Sequence, residues 1–262
     1  MAKLKKELPM PKINSKEMHF FLGVIAAILM PIVRSFFKVV PEGIEKLPKK
    51  GPYVLVINHV TNLDALAVAY FVYAQLKRAP HFLGKESLFR VPVIGSILRA
   101  AGQIPVYRSG HRNETPLKAA HAFLKAGHTI AIFPEGTLTR DPELWPMRGR
   151  SGAIRLALET GVPVFPIGQW GSEQVLPQYG SRFRPGFWKP VRILVGDEVQ
   201  LNNYRKRQLN PDELAEATAL VMFSITDLVA QLRGLPAPKS LWDPAQAGQA
   251  TTGNFKKVKS KK

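Results

Sequence analysis

The stretch YVLVINHVTNLD, residues 53–64, starts as a short apolar run and ends in polar residues. Its first half is rich in β-branched residues and stops at Asn58, which is typical of a β-strand. His59 follows at once, so a titratable side chain lies directly behind the predicted strand. Ligands of open α/β sheets bind at the carboxyl ends of strands, and the residues leaving each strand are therefore the first candidates for a site.

The same kind of apolar run, bounded by Gly, Pro or Asn, recurs along the chain and predicts further strands. These lie at residues 81–84, 103–107, 129–134, 163–168 and 191–196. Helical stretches separate them, at residues 63–76, 94–101, 115–126, 152–160 and 211–232. Asn210 is the expected N-cap of the last helix, and Gly161 and Gly234 follow helix ends. The alternation predicts an α/β domain at residues 41–234, with a layered mixed, largely parallel sheet flanked by helices.

Asp64 follows His59 by five residues, in the first turn of the next predicted helix. A carboxylate beside an imidazole fixes its tautomer and stabilises the imidazolium, so the pair is suited to general base catalysis. Taken alone, the pattern is more typical of a loop contact and a helix cap. A second feature is needed to favour catalysis.

The segment FPEGTLTR, residues 133–140, is that second feature. It leaves another apolar strand in a glycine-containing turn that holds Glu135 and Arg140. A turn with exposed N–H groups and a nearby arginine can bind a phosphate group. The alternative is a tight turn with two surface charges.

Four sequence blocks in this order resemble the motifs of the glycerol-phosphate and lysophosphatidic acid acyltransferases, most closely the bacterial 1-acylglycerol-3-phosphate acyltransferases. The blocks are NHxxxxD at 58–64, GKESLF at 84–89 running on to GQIPVYR at 102–108, FPEGT at 133–137, and VPVFPIG at 162–168. The resemblance covers about residues 40–200.

The resemblance implies that His59, oriented by Asp64, deprotonates the acceptor hydroxyl. The hydroxyl of 1-acylglycerol 3-phosphate (lysophosphatidate) then attacks the thioester of acyl-CoA or of acylated acyl carrier protein (acyl-ACP), giving phosphatidate. No cofactor beyond this co-substrate is implied, and the sequence has no metal-ligand motif. The absence of cysteine agrees with direct attack without an acyl-enzyme. The substrate-binding residues implied by the motifs are Asn58, Lys85, Arg108, Glu135, Gly136, Thr137 and Arg140.

One residue departs from the family pattern. Many members have arginine directly after the FPEGT threonine, whereas this chain has Leu138 there and Arg140 two residues on. Either Arg140 reaches the phosphate or the acceptor is held differently, so lysophospholipid, glycerol 3-phosphate and glycolipid precursors stay open as acceptors. Three nearby cations are expected to be solvated surface charges. They are Arg148, Arg150 and Arg155.

The chain carries 37 Lys+Arg against 19 Asp+Glu, a net charge of +18, which calls for an anionic partner. Half of this excess lies in residues 1–16 and 255–262. Charge alone also fits a non-enzymatic protein that binds lipid or nucleic acid. No nucleic-acid motif is present, and neither are GxSxG, Walker A and GxGxxG signatures. We expect anionic lipids as partners and no nucleic acid.

An apolar run, FFLGVIAAILMPIV at residues 20–33, follows the basic N-terminal tail at residues 1–16. Fourteen helical residues reach about 21 Å, short of a hydrocarbon core of about 30 Å. Pro31 is expected to kink or break the helix. Residues 17–40 are therefore predicted to be a broken or re-entrant helical segment that associates with one membrane leaflet. A signal peptide and a buried core helix are the alternatives.

Residues 235–262 are rich in Pro, Ala, Gln, Gly and Lys, which predicts a disordered basic tail. Together with the apolar segment, the basic ends predict a peripheral or monotopic protein of the cell membrane, with its active site on the cytoplasmic side.

Overall fold

The computed structural model of the chain describes residues 8–14, 16–106, 114–180, 182–205 and 207–250. Within these residues seven strands form one sheet: β1 (Lys38–Glu42), β2 (Tyr53–Ile57), β3 (His81–Lys85), β4 (Ile104–Val106), β5 (Thr129–Ile132), β6 (Val164–Trp170) and β7 (Pro190–Val195). Their spatial order is β1–β7–β6–β2–β5–β3–β4. Neighbouring strands are parallel except β6 and β7, which pair antiparallel. The predicted mixed, largely parallel sheet is confirmed.

The same described part of the chain contains seven α-helices: α1 (Phe20–Phe36), α2 (Asp64–Tyr70), α3 (Glu86–Phe89), α4 (Pro92–Ala100), α5 (Glu114–Lys125), α6 (Gly152–Thr160) and α7 (Pro211–Arg233). A π-helical turn continues α2 through residues 71–75. The predicted end signals hold, because Gly161 and Gly234 adopt left-handed φ angles of 72° and 63°. Asn210 forms a capping box with Glu213 at the start of α7. The four residues of α3 are too few to show a helical period, and the sequence did not predict them.

Strand β2 lies in the middle of the core, and all of its residues are buried. Alternate side chains of a strand face opposite sides of the sheet. Val54 and Val56 therefore join the apolar cluster formed with α5, α6 and α7, whereas Leu55 and Ile57 join the cluster formed with α2. The helices cover both faces and leave the strand ends open.

The prediction of a broken or re-entrant helical segment at residues 17–40 is wrong about the break in the helix and about where the helix ends. Helix α1 runs through Pro31 without a break, because the proline removes only one N–H group and the other helical hydrogen bonds remain. The helix also ends at Phe36, and Lys38–Glu42 pairs with β7 as the sheet's edge strand. Within the described part of the chain, none of the helices combines the length and hydropathy needed to cross a bilayer.

Helix α1 presents two different faces. Leu22, Ala26 and Val33 are buried against the domain. Large apolar side chains are exposed on its other side, and they are Phe20, Phe21, Val24, Ile28 and Ile32. A purely buried core helix does not fit this exposed face.

The prediction that residues 235–262 are disordered is wrong for residues 235–250, which we call the C-terminal strap. Leu241 packs against the main hydrophobic cluster, and Trp242 forms a β-bridge with Met147. Asp243 accepts a hydrogen bond from Arg148 at 2.9 Å. These few contacting side chains order the segment, although its average composition is that of a disordered chain. Residues 251–262 lie outside the described residues.

Candidate active site

The residues that leave three neighbouring strands meet at one edge of the sheet. Strands β5, β2 and β6 are mutually parallel, so their carboxyl ends lie side by side. His59 follows β2, Glu135 follows β5, and Ser172 follows β6. This is the edge at which open α/β sheets bind ligands.

The structure brings His59 and Asp64 together, as their spacing indicates. His59 Nδ1 lies 3.0 Å from Asp64 Oδ2. The Asp64 side chain is fully buried, whereas 18% of the His59 side chain is exposed. A neutral imidazole that donates from Nδ1 to the carboxylate keeps Nε2 as a proton acceptor. The pair therefore has the arrangement of a general base and its orienting acid.

Asp64 is held in place by several donors besides His59. Its Oδ2 accepts hydrogen bonds from the backbone N–H groups of Val60 and Thr61, at 2.6 and 2.8 Å. Its Oδ1 accepts from the hydroxyls of Thr61 and Ser172, at 3.2 and 2.6 Å. Ser172 belongs to none of the predicted site residues, although a serine that follows a parallel strand at this edge is a usable signal.

The loops after β2 and β5 are tied together around His59. The imidazole stacks on the Phe133 ring, with a centroid distance of 4.2 Å and an interplanar angle of 23°. The His59 N–H donates to Glu135 Oε1 at 2.8 Å, and the His59 carbonyl accepts from the Thr139 N–H at 2.6 Å. The position of the imidazole is thus fixed from both sides.

Glu135 supports the site from inside the protein, which differs from its predicted contact with substrate. Its side chain is buried, and Oε2 accepts a hydrogen bond from the Met147 N–H at 3.1 Å. Burial raises the pKa of this carboxyl to about 8, although the hydrogen bonds from His59 and Met147 act in the other direction. Its two oxygens hold backbone groups of two loops together.

Asn58 is likewise a structural residue. It is buried, and its side-chain amide exchanges hydrogen bonds with the Gln169 backbone, donating to the carbonyl at 3.0 Å and accepting from the N–H at 2.8 Å. Gln169 Nε2 also donates to the Asn58 carbonyl at 3.0 Å. The expected substrate contact of Asn58 is replaced by a clamp between the ends of β2 and β6.

A cavity of about 310 Å³, the first cavity, lies beside the Phe133 ring. Lys85, Gly136 and Arg150 line it, with the first residues of α6. Gly136 has a φ of 70°, which favours glycine, and a Cβ there would lie 2.8 Å from Arg150 Nε, so a side chain would also have to displace Arg150. Arg150 is exposed, as expected of a surface charge, and its side chain also lies against the FPEGT turn.

Other predicted binding residues lie elsewhere. Arg140 is buried and lines a second cavity of about 350 Å³ instead of the first. Leu138 is also buried, so the position after Thr137 points into the protein. Thr137 is half-buried in the turn. Arg108 lies outside the described residues.

Among the described residues, Glu17, His81 and His128 form a group whose ligand atoms are close enough to hold a metal ion, within 4.8 Å of one another. The Glu17 carboxylate already pairs with Arg78 and accepts from the Thr129 N–H. His81 Nε2 lies 3.1 Å from His128 Nδ1. The group ties the segment before α1 to the amino ends of β3 and β5, opposite the edge that carries His59.

A histidine oriented by a buried carboxylate, at the carboxyl ends of parallel strands and beside a cavity, is the arrangement of an α/β enzyme. The chain belongs to the acyltransferase family, whose family model matches residues 38–170, just over half of the chain.

Named relatives agree with this assignment. The chain is 32% identical to the chloroplastic 1-acyl-sn-glycerol-3-phosphate acyltransferase BAT2 of Brassica napus over 164 residues, 62% of this chain and 45% of that protein. It is 29% identical to the 1-acyl-sn-glycerol-3-phosphate acyltransferase of Borreliella burgdorferi over 148 residues, 56% of this chain and 57% of that protein. The chain thus spans about half the length of the curated relatives it matches.

A solved structure shares the fold. The 1-acyl-sn-glycerophosphate (LPA) acyltransferase PlsC from Thermotoga maritima superposes with a TM-score of 0.62 and 24% sequence identity. The match covers 83% of this chain and 81% of the other.

Proposed function

We propose that the protein transfers an acyl chain from a thioester donor to the free hydroxyl of 1-acylglycerol 3-phosphate, giving phosphatidate. The observation that carries the proposal is the pair of His59 and buried Asp64, 3.0 Å apart, beside a cavity lined by Lys85 and Arg150. The relatives named as acting on this acceptor support it.

In this mechanism His59 Nε2 removes the hydroxyl proton as the acceptor oxygen bonds to the thioester carbonyl carbon. Asp64 stabilises the imidazolium through Nδ1. Collapse of the tetrahedral intermediate breaks the carbon–sulfur bond, and the leaving thiolate takes the proton from His59. The products are an ester and a free thiol, and no acyl-enzyme forms.

We assign the acceptor phosphate to the first cavity. Lys85 supplies a flexible ammonium, and Arg150 supplies a guanidinium that suits bidentate contact with phosphate. Arg150 replaces the arginine that many family members carry after the FPEGT threonine, since Leu138 is buried here. The resemblance alone adds Arg108 to this group.

The exposed face of α1 supports a place at the membrane surface, as a peripheral or monotopic protein. Phe20, Phe21 and Ile28 are 78%, 68% and 62% exposed. Exposing these apolar side chains to water costs free energy, and insertion into a membrane leaflet removes that cost. Anionic lipids complement the excess of positive charge. We place the active site on the cytoplasmic side, where acyl-CoA and acyl-ACP are found.

The test is a panel of acceptors and donors with the wild type and His59→Ala. Lysophosphatidate should be used in preference to glycerol 3-phosphate, lysophosphatidylcholine and a glycolipid precursor, from acyl-CoA or acyl-ACP. His59→Ala should lower kcat/KM by a factor of about 10² to 10⁴, because the proton acceptor is lost. An Ala variant as active as the wild type would contradict the mechanism, and a preference for another acceptor would contradict the assigned substrate.

A further inference from the structure

Two further cavities lie near the first one. The second cavity, of about 350 Å³, shares Arg150 with the first. A third cavity, of about 750 Å³, shares Arg148 and Gly149 with the second. These shared residues make the three cavities neighbours, and we call them together the groove; the acceptor assigned above uses only the first cavity.

The third cavity lies between the C-terminal strap and α7. Arg148 and Lys239 are exposed cations on its wall. Apolar side chains line it as well, including Leu214, Phe223 and Leu241. Two carboxylates line the cavity too, but the two cations beside an apolar wall suit a ligand that combines a phosphate with methyl and amide groups.

We propose that this groove binds the phosphopantetheine arm of the acyl donor, with its phosphate between Arg148 and Lys239. The inference rests on the proposed function, in which the thioester must reach His59 while the rest of the donor lies outside the first cavity. Both possible donors contain the same group, 4′-phosphopantetheine, which is part of coenzyme A and is attached to acyl carrier protein.

Three carboxylates also line these cavities: Glu135 borders the second, Glu216 the third, and Asp243 both. Glu135 is buried and accepts hydrogen bonds from backbone N–H groups, whereas Glu216 is exposed on α7. Asp243 Oδ2 accepts from Arg148 Nη1 at 2.9 Å, and Asp243 borders the second and third cavities. The Arg148 side chain is 62% exposed and that of Asp243 only 13%. The acid therefore holds the guanidinium at the strap, while most of the Arg148 side chain is open to solvent and to a ligand.

This assignment also gives the strap a role. Leu241 packs into the core, Trp242 pairs with Met147, and the Arg148 N–H donates to the Trp242 carbonyl at 2.9 Å. The strap thus completes one wall of the groove and carries Lys239 to it.

The experiment measures binding to the full-length protein without acyl transfer. Coenzyme A, 4′-phosphopantetheine, pantetheine and holo acyl carrier protein are titrated into the wild type, Arg148→Ala and Lys239→Ala. Lys50→Ala is the matched control, an exposed lysine before β2 at the opposite edge of the sheet. We expect each groove variant to weaken binding of 4′-phosphopantetheine by about 10-fold or more, as for a lost charged hydrogen bond. Pantetheine should bind weakly and equally to all four proteins.

Further readouts separate the possible outcomes. Tighter binding of coenzyme A than of holo carrier protein, or the reverse, identifies the donor and supports the groove in either case. Arg148→Lys should restore part of the binding, and thermal unfolding shows whether each variant is folded. Groove variants that bind 4′-phosphopantetheine like the wild type, or a wild type that binds pantetheine equally well, would overturn the inference. Because no transfer is measured, this result does not depend on whether lysophosphatidate is the acceptor.

Discussion

At the residue scale, the orientation of His59 depends on an acid that only accepts hydrogen bonds. In Asp64→Asn one carboxylate oxygen becomes an NH₂ group, which either faces the N–H groups of His59, Val60 and Thr61 or faces the hydroxyl of Ser172. In the first arrangement the NH₂ group faces other hydrogen-bond donors. In both arrangements the negative charge that stabilises the imidazolium is lost. We expect kcat to fall by a factor on the order of 10³ to 10⁴, with little change in the KM of either substrate. Steady-state kinetics checks this, and a changed KM with an intact kcat would assign Asp64 to substrate binding instead.

Arg150 offers a second test at this scale. Arg150→Ala should raise the KM for lysophosphatidate by about 10-fold or more, because a charged contact to the phosphate is lost. Arg155→Ala is the control, since Arg155 lies on the outer side of α6 and pairs with Glu159 at 3.9 Å. Steady-state kinetics measures the KM for lysophosphatidate in both variants. Equal effects of both substitutions would mean that only the general positive potential acts on the acceptor.

The site was only partly predictable from these residues. The contact between His59 and Asp64 was predictable, because His59 follows the end of a strand and Asp64, five residues later, begins a helix. The motifs could not say which way a side chain points, so Asn58 and Glu135 were assigned to substrate although both are buried. The approach of Arg150 to Gly136 was not predictable, because it depends on how the chain returns after the FPEGT turn, which no local pattern encodes.

At the scale of elements, periodicity predicted the long helices and the strands β2 to β7, including the edge strand β4, but it did not predict the other edge strand, β1, or the four-residue helix α3. Strand β1 follows α1 directly and forms only by pairing with β7, which lies about 150 residues later in the chain. The C-terminal strap is likewise ordered by distant partners, Met147 and Arg148. Composition averages over a segment, whereas a few contacts decide whether it is ordered.

Helix α1 provides the prediction at this scale. The double variant Phe20→Ser, Phe21→Ser removes two exposed aromatic side chains and leaves the buried face of Leu22 and Ala26 intact. We expect binding to anionic vesicles to fall by at least 10-fold while the midpoint of thermal unfolding changes little, since burial of the aromatic rings occurs only in the membrane. Vesicle flotation measures the binding. Unchanged flotation would remove α1 from the membrane contact.

At the scale of the whole molecule, two buried groups with opposite shifts shape the dependence of stability on pH. The pKa of Glu135 is raised by burial to about 8, so the folded protein keeps a proton that the unfolded chain releases above pH 4.5. The pKa of His81 is lowered to about 3 by burial and by nearby His128, so the unfolded chain takes up a proton below pH 6.5 that the folded protein refuses. Each difference of one proton changes the free energy of unfolding by about 1.4 kcal/mol per pH unit.

The signs of these two contributions differ. The stabilisation from protonated Glu135 is present below pH 4.5 and is lost as the pH rises toward 8, whereas that from neutral His81 is present above pH 6.5 and is lost as the pH falls toward 3. Between pH 4.5 and 6.5 the two slopes cancel. Glu135→Gln should therefore flatten the decline between pH 6.5 and 8 and leave the acid limb unchanged, and His81→Asn should do the reverse. Urea unfolding across this range measures both slopes, and a Glu135→Gln curve parallel to the wild type above pH 6.5 would show that Glu135 is already ionised in the folded protein.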